Sequence, residues 1–118
     1  IGLARAASQY LTEQAGQRKN LDDAAASLRE ELDQLQHRLL EAAAGRDDCD
    51  PGDLRGRAND LVMRTTSAAM TAAKGAGFVE GHPVGRWCRE ALFFLVWSCP
   101  EPVAQAHLCQ LSVSGWNQ

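Results

Sequence analysis

The sequence predicts an all-α fold: an antiparallel up-down four-helix bundle with an extra short C-terminal helix. Three observations lead to that expectation. Leu21, Ala25, Leu28, Leu32, Leu35 and Leu39 recur at spacings of four and three, the period of one face of a helix. No segment alternates apolar and polar residues at period two, as a half-buried strand requires. The connections between periodic stretches are short, which favours antiparallel neighbours.

Taken in order, the first helix is expected over about residues 2–17, with Leu3, Ala7, Tyr10 and Leu11 on one face. Gly16 and the polar Gln17, Arg18, Lys19 and Asn20 mark its end. The second helix covers about residues 21–44. Asn20 is its expected N-cap, and Asp22 and Asp23 suit the positive end of its dipole. Its leucine stripe would also serve a coiled-coil seam; packing within one bundle is favoured because only this helix carries the pattern.

Residues 45–52 are rich in turn formers, and Asp50 before Pro51 reads as an N-cap followed by a first-turn proline. The third helix then runs to about Lys74, with Leu54, Ala58, Leu61, Thr65, Ala68 and Ala72 inward and Gly75 and Gly77 stopping it. The fourth is expected over about residues 83–96. It ends in Leu92, Phe93, Phe94, Leu95, Val96 and Trp97, apolar on every side, as in a central core element or half of a subunit interface. Composition alone would also allow a strand there, but Arg86 to Ala91 leads into it as helix. Cys99, Pro100 and Pro102 break the chain and open a last helix to about residue 111, with Val103, Ala106, Leu108 and Leu111 apolar.

The 118 residues fit one domain, residues 1–112, with a frayed tail at 113–118. A content of 45% hydrophobic and 23% charged residues is that of a soluble globular chain, which excludes a disordered one. The net charge of −3, with basic residues dispersed among acidic ones, argues against nucleic acid as a partner. The apolar run from Ala91 to Trp97 falls far short of the roughly 20 residues that span a bilayer, so no membrane partner is expected. No secretory signal is legible, and a start at Ile1 suggests a fragment or a processed chain. Cys49, Cys88, Cys99 and Cys109 have neither disulfide-scaffold nor zinc-ligand spacing, so reduced thiols, a cytoplasmic location and no metal are expected.

The chemistry-bearing stretch is Thr71-Ala72-Ala73-Lys74-Gly75-Ala76-Gly77-Phe78, then Pro83, Arg86, Arg89, Glu90 and Ala91. Backbone approaches a pyrophosphate closely only where side chains are absent, and glycine also permits positive φ. A helix C-cap would equally explain Gly75 and Gly77. With the spacing that follows, the stretch resembles the C-terminal helical domain of acyl-CoA dehydrogenases, whose pattern is Gln-x-x-Gly-Gly-x-Gly-aromatic, then a proline and an Arg-x-x-Arg-Asp-Ala helix. Thr71 stands for the glutamine, and Lys74 for the first glycine. Arg18-Lys19-Asn20-Leu21 takes the place of the family's Arg-x-x-Phe-Gly, without the glycine.

The resemblance implies a flavoprotein context in which Arg18, Gly75, Ala76 and Gly77 face the pyrophosphate of FAD, shared with a missing domain or another subunit. It also implies an oligomer, or docking to upstream flavoprotein domains, through Leu92, Phe93, Phe94, Leu95, Val96 and Trp97. Ser98 stands where many members carry the glutamate that abstracts the substrate α-proton, so no catalytic residue is assigned and the chain alone is not expected to catalyse. A non-catalytic dimerisation or docking module is the alternative. Ser98, His107 and Glu101 lack a nucleophile-elbow setting. His82, before Pro83, has the best functional claim of the three histidines. His37 is expected to be exposed, His107 at an interface or a core edge, and Cys88 and Cys99 in the core.

Overall fold

The computed structural model describes residues 1–46, 48, 50–97 and 99–112. Its α-helices are α1 (Gly2–Ala15), α2 (Asp22–Ala43), α3 (Pro51–Ala73), α4 (Pro83–Phe93) and α5 (Glu101–Ser112), with short 3-10 segments at Lys19–Leu21 and Lys74–Phe78. The all-α class is thus borne out, and among the described residues there is no strand. The expected tail at 113–118, along with Cys49 and Ser98, lies outside the described residues.

α3 is the central element. It packs against α1, α2, α4 and α5, while α1 also packs on α2 and α4. That is why α3 buries more than the one face read from its sequence. Leu54, Leu61, Thr65 and Ala72 are buried as expected, Ala58 and Ala68 only partly, and Asn59, Val62, Thr66, Ala69 and Ala73 join them. The leucine stripe of α2 does turn inward, with Leu28, Leu32 and Leu35 buried and Leu39 at the edge. Full burial of a side chain such as Leu11 or Leu32 stabilises the fold by about 2 kcal/mol.

A second cluster of small residues, Ala7, Ala69, Ala73 and Val84, joins α1, α3 and α4. Here the buried threonines solve their own polarity. Thr65 and Thr66 donate to the Leu61 and Val62 carbonyls one turn back, at 2.9 and 2.7 Å.

Several boundaries differ from expectation for local reasons. Asn20 lies inside the 3-10 turn, so Leu21 rather than Asn20 caps α2, with no side-chain bond. Asp50 is the N-cap of α3 and Pro51 its first residue, but the aspartate side chain makes no cap bond. α4 ends at Phe93; Leu95 and Val96 then bond three residues back, to the Leu92 and Phe93 carbonyls, in a tightened turn. α5 starts at Glu101, after Pro100, and buries Val103.

Arg64 ties α3 to α2. Its guanidinium forks onto the Glu31 carboxylate at 2.5 and 3.2 Å and donates to Asp60 at 2.9 Å. This bond holds the Glu31 carboxyl below its usual range and pushes Arg64 up. A depressed carboxyl contributes stability above its unfolded pKa, near 4.3, and loses it as pH falls through the folded value. Thermal melts from pH 6 downward should therefore show the wild-type chain losing more stability below about pH 4.3 than Glu31→Gln does.

Candidate functional site

The sequence-predicted site lies where α1 and α3 end and α4 begins. α3 does not stop at a glycine. Lys74 breaks it, with φ 56° and ψ −143°, a region that glycine enters freely and a β-carbon makes costly. Lys74 also occupies the place of the first glycine in the pattern that the sequence resembles. The backbone at Lys74 thus takes a glycine-type conformation at the position where that pattern carries glycine.

Gly77 is buried, and its lack of a side chain serves packing. A β-carbon there would collide with Met70 Sδ. One at Gly85, on α4, would lie 2.6 Å from the Gly77 carbonyl oxygen. Gly75 is different: it is exposed, and a β-carbon there meets nothing within 4 Å. Ala76 is exposed, and its carbonyl accepts from Val79 N at 3.0 Å. Phe78 follows, 83% exposed.

Arg18 is drawn to the same end of the fold. Its Nη2 donates to the Ala72 carbonyl in the last turn of α3 and to Gln14 Oε1 at 3.4 Å. A cation at a helix C-terminus complements both the dipole and an orphan carbonyl. Arginine has five N–H donors. Both bonds use Nη2, so among the described residues Nε and Nη1 keep their donors for another acceptor.

His82 has a structural task. It is the N-cap of α4, its Nδ1 accepting from Val84 N at 3.3 Å, and its ring meets Tyr10 edge-on at 5.8 Å. Tyr10 makes a second edge contact with Trp87 at 6.1 Å. Cys88 donates to the Thr66 carbonyl at 3.4 Å, and burial pushes its thiol up. Cys88 and Cys99 are half-buried rather than core residues, Cys109 is exposed, and all three thiols are free. His37 is exposed, beside Glu41 at 3.9 Å. Among the described residues, no group of His, Cys, Asp or Glu side chains could hold a metal ion.

A feature not expected from sequence is a cleft of about 700 Å³ between α2, α3 and α5. His107 lines it, together with Glu31, Asp60 and Arg64. Gly52 and Gly56 on α3 line it too, and two small residues four apart at a helix start were its legible sign. Several of its charges are paired with one another: besides the Arg64 pairs, Arg57 meets Asp53 at 3.2 Å.

Comparison with protein-family models, with curated proteins and with solved structures finds no match to this chain. The acyl-CoA dehydrogenase resemblance therefore rests on the motif residues alone.

Two outcomes follow from this geometry. Lys74→Gly should stabilise the chain by about 1 kcal/mol in urea unfolding, while Lys74→Ala should stay within about 0.5 kcal/mol of wild type. Arg18→Ala should lower stability by about 1–2 kcal/mol through loss of the charged bond to the Ala72 carbonyl; the same unfolding measurement reads it.

Proposed function

We propose that this chain is the C-terminal helical bundle of a divergent flavoprotein resembling acyl-CoA dehydrogenases, presenting Arg18 and the turn of Gly75, Ala76 and Gly77 to the pyrophosphate of FAD. The observation that carries this reading is the glycine-type backbone at Lys74, at the position of the pattern's first glycine. The residues fit such a group. Gly75 leaves open space beside exposed backbone, and Arg18 retains donors on Nε and Nη1. Gly77 would act indirectly, by letting α4 pack beneath the turn.

The up-down bundle is part of the same reading. Arg18, just past the end of α1, reaches the end of α3. Arg5, near the start of α1, reaches Asp33 at 2.7 Å and Gln36 in the second half of α2. Arg55, in the second turn of α3, reaches the carbonyls of Phe94 and Trp97 beyond α4. These contacts support alternating helix directions.

When bound, flavin supplies the redox chemistry. This chain's residues would hold the pyrophosphate and fix the orientation of the turn. The expected substitution of Ser98 for the family's glutamate lies outside the described residues. By sequence it removes the usual α-proton base, which leaves a dehydrogenase with its base supplied from elsewhere in the protein, an oxygen-activating enzyme, or a non-catalytic role. A second reading, a dimerisation or docking module without flavin, is favoured by the exposure of Leu92, Phe93, Phe94, Val96 and Trp97.

The test is the flavin content of the complete gene product. It should carry a flavin spectrum or regain one with added FAD. Gly75→Val should abolish flavin retention while leaving the thermal midpoint of the flavin-free protein unchanged, because a β-carbon there meets nothing in the fold. A colourless product that FAD does not reconstitute overturns the flavoprotein reading.

A further inference from the structure

We propose that the cleft between α2, α3 and α5 binds a basic peptide unit, with a backbone amide on Asn59 and His107 and a cationic side chain on Asp50. The cleft lies along the first half of α3, away from the turn at its end, and its occupancy does not depend on flavin. Its volume of about 700 Å³ is that of a small-ligand site.

Asn59 is only 5% exposed, yet the fold satisfies just one end of its amide. Oδ1 accepts from Arg55 Nε at 3.2 Å, and because an N–H donor can meet only the oxygen, the amide's orientation is set. Among the described residues Nδ2 has no acceptor, and no sealed side-chain nitrogen or oxygen lacks a partner. Nδ2 is therefore not sealed. Asn59 lines the cleft and Arg55 does not, so Nδ2 is the end that opens onto it. A carbonyl oxygen is the complement of that donor. His107, half-buried on α5, lines the cleft too, and its ring bonds to nothing among the described residues. A neutral imidazole accepts an N–H. Asn59 and His107 thus offer the donor and the acceptor that a secondary amide needs.

Gly56 supplies the room. Glycine inside a helix weakens it, and neither a tight contact nor a positive φ accounts for this one: a β-carbon there meets nothing within 4 Å. The space lies beside Asn59, three residues on, with Val103 and Ala106 of α5 as its apolar wall. Charge selects the side chain. The carboxylates that line the cleft outnumber its guanidiniums by four to three. Arg64 takes Glu31 and Asp60, and Arg57 takes Asp53. Asp50 is exposed, makes no cap bond and, among the described residues, joins no ion pair. Asp50 and Asn59 lie about 13 Å apart along the helix, a span that an extended lysine bridges with the help of the two protein side chains.

The probe is N-acetyl-lysine methylamide, titrated into the nitrogen-15-labelled chain and followed by NMR. The side-chain amide resonances of Asn59 should shift and saturate at about millimolar probe. The norleucine counterpart, which lacks the charge, should bind about threefold more weakly, and the glutamate counterpart more weakly again. Asp50→Asn should erase the difference between lysine and norleucine with the melting midpoint kept, because asparagine caps as well and the aspartate makes no cap bond. Gly56→Leu should abolish binding of both while keeping or raising the midpoint, since leucine favours helix and its β-carbon meets open space. An Asn59 amide that stays unmoved at about 50 mM of the lysine probe overturns the proposal. So does a norleucine probe that binds as tightly as lysine, or binding that survives Gly56→Leu.

Discussion

The close approach of α4 to the end of α3 is the constraint on which the rest depends. The Gly77 carbonyl occupies the space that a β-carbon of Gly85 would need, and Gly77 itself lies under Met70. Ala69, Ala73 and Val84 continue the contact in small side chains. Close packing of this kind has no slack: adding one methyl must move backbone. The position of α4 fixes His82 and Trp87 against Tyr10 of α1, and also fixes where the apolar segment leaves the fold.

Much of this was legible in the sequence, because it follows from periodicity. The stripe of α2, the proline start of α3 and the glycine-rich break before α4 are local signals, and local signals survive folding. What could not be read was tertiary. Nothing in the α3 sequence says that four helices will surround it, so the burial of Asn59, Thr66 and Ala69 was missed. Lys74 was read as an ordinary last residue of α3, yet it carries the positive φ that the neighbouring glycines were expected to supply. Gly77 was singled out for a ligand, whereas its geometry answers to Met70 and Gly85. The partner of Arg18 lies 54 residues away, beyond any window of sequence.

The two arginine clasps share a logic. Among the described residues, no α-helix has a basic residue in its last turn, where one would complement the dipole locally. The cations come instead from other elements: Arg18 serves the end of α3, and Arg55 the carbonyls beyond α4. A cap drawn from a distant element forms only when both elements are docked. It therefore stabilises the tertiary arrangement rather than an isolated helix, and ties the integrity of each helix end to correct assembly.

Arg55 bears on more than the helix that it caps. Residues 94–97 are held mainly by bonds three residues long, the kind that open easily at a helix end. With its guanidinium bonded to the carbonyls of Phe94 and Trp97, the exposed aromatic stretch is restrained before anything touches it. Freezing a loose chain on contact consumes much of the free energy that contact releases. Here that loss of conformational freedom is met during folding, by a residue in the second turn of α3, so a modest apolar area can hold more firmly than its size suggests.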